Sequence, residues 1–243
     1  MFEIFFTHLD IDISDEQKDL YMQYMTADRK ARIERLKRRE AVVKNLLAGL
    51  FVARGIEAAG FHYDPCDIYI GEHGKPLVLE DKYYFNLSHS HGLGGLVVGD
   101  KNCGFDVQKD IEKYEKIEKR VSCENELKVL ESVDPGKKSR LFTLLWSAKE
   151  AYLKYTGDGI RKELTIIDTS PLLKEAVNHL LEKNNENDRI NTEIVVGGER
   201  LHFTGGLIPE YNDHTFCLCT EEETKEIKVT MWRAKELCQK KEK

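Results

Sequence analysis

The segment from Trp146 to Lys154, with the sequence WSAKEAYLK, carries acidic and basic side chains at helical spacing. Positions three, four, seven and eight residues apart share one face of an α-helix, so we predict that five side chains lie together: Trp146, Lys149, Glu150, Leu153 and Lys154. A carboxylate on such a face can bind a metal ion or accept a proton, and a lysine beside it can stabilise a phosphate oxygen. Taken alone, however, the helix favours a boundary face on which Glu150 and Lys154 form an ordinary i,i+4 pair that contributes roughly a few tenths of a kcal/mol.

A second candidate is the segment 104–108, with the sequence GFDVQ, which is typical of a strand. Strand alternation places Asp106 and Gln108 on one face and the apolar Phe105 and Val107 on the other. Because an aspartate is disfavoured within a strand, some interaction must hold it there. A hydrogen bond to a neighbouring turn would suffice, and so would a Mg²⁺ ion, which prefers oxygen ligands from carboxylates, phosphates and water.

Two polar segments between predicted strands carry groups that suit phosphate oxygens. The segment 86–91 (NLSHSH) offers hydroxyl and imidazole groups, including those of Ser88 and His89. The segment 71–76 (GEHGKP) presents Lys75 at the tip of a loop. Both segments are also typical of ordinary polar turns, so neither is decisive by itself.

Basic residues are concentrated near the N-terminus, although the chain has a net charge of −6. They are Arg29, Lys30, Arg32, Arg35, Lys37, Arg38, Arg39 and Lys44. Such a run is usually a solvated helix face, and in an acidic protein it also forms a local anion site. An RNA-binding module built on a basic helix is a further alternative, which the acidic total charge disfavours.

The secondary-structure pattern determines where these segments lie. Ser14 with Gln17 resembles a capping box and opens a helix over 14–25, and Asp28 is expected to cap a longer helix that ends near Gly60. Runs of period two then predict four short strands before the strand 104–108. We further predict helices at 111–121, 123–132 and 137–155, strands at 164–168, 192–196, 200–204 and 215–220, and a polar loop at 182–188.

A strand is also predicted at 2–8, before the first helix. The order strand, helices, strands therefore occurs twice, which predicts an α+β fold of two similar α+β lobes in a pseudo-twofold arrangement. We expect an N-terminal lobe over 1–103, a C-terminal lobe with the metal site over 104–229, and a charged C-terminal tail over 230–243. The composition, with 41% hydrophobic and 33% charged residues, is that of a globular protein. Neither a secretory signal nor a membrane-length apolar run occurs, so we expect the cytoplasm. The cysteines lack a C-x-x-C pair, which favours buried thiols over a zinc site.

In this order and spacing, the segments resemble one family, the 4′-phosphopantetheinyl transferases of the longer, two-lobed type that activate nonribosomal peptide and polyketide synthases. The resemblance rests on Gly74-Lys75-Pro76, the Asn-Leu-Ser-His-Ser stretch, the Gly-x-Asp strand at 104–106, and the Trp-x-x-Lys-Glu-Ala helix followed by Lys154. It covers about positions 74–159, and the basic run supports it more weakly. The combination of this helix with the aspartate strand is its most specific part.

The resemblance implies a role for each matching residue. Asp106 and Glu150 would bind Mg²⁺, Lys154 would lie beside the pyrophosphate of coenzyme A, and Lys149 would support it. Further contacts to coenzyme A would come from Lys75, Ser88 and His89, and, at its adenosine phosphate end, from Arg29, Arg32 and Lys44. The family strand commonly ends in glutamate where this chain has Gln108, whose amide oxygen would be a third but uncharged metal ligand.

The reaction that the resemblance implies is the attack of a serine hydroxyl of an acyl or peptidyl carrier protein on the β-phosphorus of coenzyme A, which releases 3′,5′-ADP. Glu150 would be the general base, and Lys154 would support the leaving oxygen. The resemblance also implies that the carrier binds just after the aspartate strand. An apolar stripe lies there among basic residues and consists of Ile111, Tyr114, Ile117 and Val121. The alternative is that this stripe packs in the core. We expect a monomer that binds neither nucleic acid nor membrane. The alternative function is a coenzyme A- or nucleotide-binding protein of the same fold in which catalysis is weakened.

Overall fold

The computed structural model describes residues 1–159, 163–181, 189–224 and 226–238. The strands, numbered along the chain, are β1 Phe2–His8, β2 Ile68–Ile70, β3 Pro76–Val78, β4 Tyr84–Ser90, β5 Leu93–Gly99, β6 Cys103–Lys109, β7 Arg189–Val196, β8 Glu199–Ile208, β9 Tyr211–Thr220 and β10 Ile227–Trp232. The helices are α1 Asp15–Met22, α2 Ala27–Glu34, α3 Arg39–Ala58, α4 Glu118–Val121, α5 Glu124–Glu131, α6 Pro135–Thr156, α7 Ser170–Ala176 and α8 Ala234–Cys238. The predicted α+β class is confirmed.

The chain divides into two compact units, Met1–Lys101 with Glu226–Lys243, and Asn102–Lys225. In the first unit, a four-stranded sheet has the order β10-β1-β5-β4, and β2 and β3 form a separate two-stranded sheet. Strand β10 runs parallel to β1, whereas the other neighbours are antiparallel. Helix α3 supplies buried apolar side chains to a core shared with this sheet, among them Leu46, Leu50 and Phe51 with Phe5 and Leu96.

The second unit has an antiparallel sheet of order β6-β9-β8-β7, against which α6 packs. Its core contains Leu141, Leu145 and Ala148 from α6, together with Phe203 and Cys217 from the sheet. In this unit β6 pairs with β9 and β9 pairs with β8, just as β1 pairs with β5 and β5 with β4 in the first unit. The pseudo-twofold arrangement of the two units stays a prediction.

The helical region near the N-terminus differs from the prediction in one respect. The Ser14–Gln17 capping box is present at the start of α1, as predicted. However, the single long helix expected from Asp28 is two helices, and Thr26 rather than Asp28 caps the first of them by accepting a hydrogen bond from the backbone N–H of Arg29 at 3.3 Å. Helix α2 buries only Ile33, whereas α3 buries eleven residues, and a turn at 35–38 separates the two helices.

The C-terminal segment is the larger correction. Residues 230–232 of the predicted tail belong to β10, which begins at Ile227 and pairs with β1 in the first unit, and residues 234–238 form α8. Its Trp232 ring lies 4.9 Å from the ring of Phe5 and 5.9 Å from that of Phe51, so aromatic packing holds this segment in the core of the first unit. Residues 239–243 of the predicted tail and the predicted polar loop 182–188 lie outside the described residues.

The strand predicted at 164–168 is a 3₁₀ turn, Leu164–Ile166. Leu164 and Ile167 are both buried, and a 3₁₀ turn directs residues three positions apart to the same side, which a strand does not. Helix α7, which follows this turn, was not predicted. Among the cysteines, Cys103, Cys217 and Cys219 are buried thiols as expected, whereas Cys66 is exposed. Within the described part of the chain, no helix has both the length and the apolar character needed to cross a bilayer.

Candidate active site

Helix α6 carries two of the predicted site residues. Pro135 occupies its first turn, where the fixed φ of proline suits a helix, and Gly157 closes it in the left-handed conformation with φ 77°. The helix is long because its apolar positions repeat at helical spacing and are buried against the sheet. Glu150 and Lys154, one turn apart, are only half-buried and therefore remain available for chemistry.

Strand β6 approaches α6 closely because residue 104 is a glycine. A Cβ atom at this position would overlap two backbone atoms of the helix, the carbonyl oxygen of Ala151 and the amide nitrogen of Tyr155. Gly104 therefore faces α6, and strand alternation turns Asp106 and Gln108 toward the same side. The close approach brings the aspartate of the strand next to the acidic and basic residues of the helix.

Three of the predicted residues meet at this contact. The ammonium of Lys154 donates to Oδ1 of Asp106 at 2.7 Å, and the side chain of Asp106 is 7% exposed while that of Lys154 is 28% exposed. Burial raises the pKa of Glu150, repulsion from Asp106 raises it further, and Lys154 opposes both effects. The structure thus brings together Asp106, Glu150 and Lys154 as one charged cluster, which we call the acidic site.

The acidic site has the donor chemistry that Mg²⁺ requires. Two carboxylates face one ammonium, so the three groups together carry a formal charge of −1 when ionised. The pKa of Glu150 is raised first by burial of the carboxylate and then by repulsion from Asp106, and a hard cation bound by both carboxylates would offset these costs. Asp106 and Glu150 are the residues that would hold the ion.

Gln108 lies two residues beyond Asp106 on the same face of β6 and is half-buried. It pairs in register with Thr215 of β9, whereas Asp106 pairs with Cys217. Because side chains directly opposite each other share a face, Thr215 and Cys217 also belong to the side of the sheet that α6 covers. The position of Gln108 is therefore compatible with a third ligand, a role that stays a prediction.

Lys149 corrects the sequence-based interpretation. Its side chain is 1% exposed, and its ammonium donates to the carboxylate of Glu126 at 2.7 Å and to the backbone carbonyls of Val121 and Leu164 at 2.6 and 3.0 Å. All three donors of the ammonium are thereby used within the protein. Helical rotation of about 100° per residue turns Lys149 into the core while Glu150 faces the acidic site, so Lys149 is a structural residue rather than a coenzyme A contact.

Glu126, the partner of Lys149, is a residue that the sequence reasoning missed. It is fully buried and also accepts hydrogen bonds from the backbone N–H of Cys123 at 2.7 Å, and from the N–H and hydroxyl of Thr169 at 2.8 and 2.6 Å. Cys123, Glu126 and Asp168 come within 4.8 Å of one another, but Glu126 already has four donors, so this group is a structural network. The only signal in the sequence was the capping-box spacing from Cys123 to Glu126.

The first unit contains a cavity of about 300 Å³ lined by two of the predicted phosphate-binding residues, Arg29 and Arg32. Gly74 and Pro76, which flank Lys75, also line it. Arg29 donates to the carbonyl of Asn45 at 3.3 Å, and burial lowers its pKa. Two arginines and one acidic residue, Asp28, are among the residues described on the wall of this cavity. We call this cavity the basic pocket; its charge suits an anion.

The other predicted contacts are less concentrated. Lys75 is half-buried, and its carbonyl accepts from the N–H of Gly71 at 2.9 Å, which closes the loop that presents it. On β4, Ser88 is buried and His89 is exposed, and alternation places them on opposite faces of the sheet. Lys44 is not part of the basic pocket, since it pairs with Asp10 at 3.0 Å and borders a different cavity.

The basic pocket also contains residues that the sequence reasoning missed, namely Thr26, Gly49, Val52, Tyr63, Ile68, Ile70 and Phe85. They come from α3, the loop that follows it, the strands β2 and β4, and the turn before α2, so no local motif joins them. Thr26 was recognisable as a helix cap three residues before Arg29, but the cap was predicted at Asp28 instead.

Parts of this chain match known proteins and one family. Residues 102–202 match the sequence model of the 4′-phosphopantetheinyl transferase superfamily. The chain is 30% identical over 169 residues to the 4′-phosphopantetheinyl transferase Sfp of Bacillus subtilis, a match that covers 65% of this chain and 71% of that protein. Another 4′-phosphopantetheinyl transferase of Bacillus subtilis is 28% identical over 162 residues, with the same coverage of both chains. The 4′-phosphopantetheinyl transferase HetI of Nostoc sp. is 30% identical over 141 residues, which cover 54% of this chain and 56% of HetI. The region that matches the sequence model includes both β6 and α6, whose contact forms the acidic site. The chain therefore belongs to the 4′-phosphopantetheinyl transferase superfamily.

Proposed function

We propose that this chain transfers the 4′-phosphopantetheine group of coenzyme A to a serine hydroxyl of an apo carrier protein and releases 3′,5′-ADP. Membership of the superfamily supports the reaction class, and the names of the relatives support the transferred group. The observation that carries the proposal is the acidic site, in which Lys154 lies 2.7 Å from Asp106 beside the half-buried carboxylate of Glu150.

The proposed reaction is a substitution at the β-phosphorus. The serine oxygen forms a bond to this phosphorus, the bond to the bridging oxygen breaks, and the electron pair leaves with 3′,5′-ADP. We assign Glu150 as the acceptor of the serine proton, because its raised pKa makes it a stronger base than an exposed glutamate. We assign Lys154 to the leaving oxygen, because its hydrogen bond to Asp106 fixes a positive charge at the acidic site.

We propose Asp106 and Glu150 as the protein ligands of a Mg²⁺ ion, with Gln108 as the candidate third ligand. The oxygen donors, the net negative charge and the raised pKa of Glu150 support this assignment. When bound, the ion would neutralise negative charge on the diphosphate. The chain's own contribution is to hold two carboxylates and one ammonium in fixed positions, which requires the close contact between Gly104 and α6.

We propose that the basic pocket of the first unit holds the adenosine phosphate end of coenzyme A. Arg29 and Arg32 supply the positive charge, and the loop that carries Lys75 borders the same cavity. A charge-assisted hydrogen bond to a phosphate contributes about 1.5–3 kcal/mol, so loss of either guanidinium should weaken binding severalfold or more. Ser88 and His89 stay candidates, each from its own face of β4.

The carrier protein is the proposed partner, and the structure changes the surface that we assign to it. The apolar stripe after β6 is largely occupied, since Ile111, Tyr114 and Ile117 pack against the core of the second unit and Val121 is buried. The basic residues among them are exposed, namely Lys113, Lys116, Lys119 and Arg120. Carriers usually present acidic helices, so we propose that these basic side chains rather than the apolar stripe contact the carrier.

The intact mass of a carrier protein tests the proposed function. Incubation with the chain, coenzyme A and Mg²⁺ should increase the mass of an unmodified carrier by one phosphopantetheine group, and a carrier in which the acceptor serine is alanine should gain nothing. A parent chain that binds coenzyme A but leaves several acyl and peptidyl carriers unmodified would support the binding-protein alternative instead. The monomeric state and the cytoplasmic location stay predictions, which light scattering and cell fractionation would test.

A further inference from the structure

Gly49 of α3 lies at the wall of the basic pocket, where a larger residue would meet the side chain of Arg29. A Cβ atom at position 49 would lie 2.9 Å from Cδ of Arg29, 2.6 Å from Cε of Met25 and even closer to the sulfur of Met25. Contacts this short do not occur between real atoms of these types, so one or both side chains would have to move. The space above Gly49 is therefore filled by these two side chains.

The course of Arg29 explains why this space matters. Its backbone N–H is fixed by the cap residue Thr26, and its guanidinium donates to the carbonyl of Asn45 at 3.3 Å. Asn45 lies one helical turn before Gly49 on α3. The aliphatic stem of Arg29 thus passes over Gly49 and directs the charged group along the wall of the basic pocket.

We infer that Gly49 is a positioning residue for Arg29, and that the absence of a side chain at position 49 sets the affinity of this pocket for the phosphates of coenzyme A. The inference rests on the proposed function, because it takes Arg29 as a phosphate contact. Gly49 itself offers no charge and no side-chain donor. It acts only by letting the stem of Arg29 lie against α3.

The inference predicts that Gly49→Ala impairs binding more than turnover. Displacing the guanidinium should raise the KM for coenzyme A about tenfold, the size expected when one charge-assisted contact is lost. The kcat at saturating coenzyme A should stay within about twofold of the parent, since the acidic site is untouched. Calorimetry with 3′,5′-ADP should show the same loss of affinity without any reaction.

A double-mutant cycle separates this role from general packing. Arg29→Ala should raise the KM as well, and Gly49→Ala combined with Arg29→Ala should be no worse than Arg29→Ala alone, because the two changes remove the same contact. Additive effects would overturn the inference. Met25→Ala provides a second background, because it removes the other side chain that a Cβ atom at position 49 would meet. If Met25→Ala combined with Gly49→Ala recovers the parent affinity, then Met25 and not Arg29 transmits the effect of Gly49→Ala. That result would also overturn the inference.

The same measurements distinguish failure of the inference from failure of the proposed function. Parent affinity in Gly49→Ala together with weakened binding in Arg29→Ala overturns the role of Gly49 alone. Parent affinity in Arg29→Ala overturns both the role of Gly49 and the assignment of the basic pocket. Absence of carrier modification by the parent contradicts the proposed function, whatever the binding data show.

Discussion

Replacing Lys149 with methionine tests whether this lysine contacts coenzyme A, as the sequence suggested, or holds the fold, as the structure indicates. Methionine keeps most of the volume of the stem but removes the charge. The carboxylate of Glu126, which is fully buried, would lose its cation, and the carbonyls of Val121 and Leu164 would lose a donor. Removing one partner of a buried ion pair costs about 3–5 kcal/mol, because the other charge remains buried without compensation.

The assay is thermal unfolding of the parent and the variant at one pH and ionic strength. For a protein of this size, a loss of about 3–5 kcal/mol should lower the midpoint on the order of 10 °C. Lys128→Met is the matched control, because Lys128 pairs with Glu124 at the surface, where the side chains are 65% and 84% exposed, and should change the midpoint little. A Lys149→Met variant with the parent midpoint and a raised KM for coenzyme A would refute the structural role.

Three further predictions test the acidic site. Gly104→Ala should destabilise the chain and abolish transfer, because the added methyl group would overlap the backbone of α6. Gly136→Ala is the control, since Gly136 lies in the first turn of α6 with open space around it. Its free energy of unfolding in chemical denaturation should be unchanged or higher by about 0.4–1 kcal/mol. Burial raises the pKa of Glu150 above its unfolded pKa of 4.5, so the folded state favours the protonated carboxyl. The resulting stability is fully present below pH 4.5 and is lost as the pH rises through the folded pKa. Glu150→Gln should therefore unfold at a higher temperature than the parent at neutral pH, and at the same temperature as the parent below pH 4.5. Gln108→Glu should reach half-maximal transfer at a lower Mg²⁺ concentration than the parent, because it adds a negative ligand. Gln108→Ala should need a modestly higher Mg²⁺ concentration. Magnesium titrations that superimpose for all three chains would remove Gln108 from the site.

The acidic site was predictable because each residue lies on a regular element. Helical spacing relates Glu150 to Lys154, and strand alternation fixes the face of Asp106, so two local rules identify the groups that meet. What local rules do not contain is which face of the helix turns toward the core. Lys149 was grouped with Glu150 for this reason, and its long-range partners, above all Glu126, 23 residues away, show that it points inward.

The remaining differences also come from long-range contacts. Strand β10 pairs with β1, more than 200 residues earlier in the chain, and neither segment alone specifies the other. The break between α2 and α3 has no glycine or proline to mark it, so the sequence pattern continued through it. Tyr63 and Phe85 line the basic pocket although they belong to no basic motif, because the fold rather than the sequence brings them beside Arg29.

The central claim is that Asp106 of β6 and Glu150 of α6 form the reaction centre for carrier modification. Intact-mass analysis of a carrier protein, incubated with coenzyme A and Mg²⁺ and with parent, Asp106→Ala or Glu150→Ala chain, tests it most directly. The parent should convert the carrier to the form heavier by one phosphopantetheine group, whereas both variants, shown to be folded by their thermal transitions, should leave the carrier at its starting mass. Near-parent conversion by either folded variant would contradict the assignment of the acidic site.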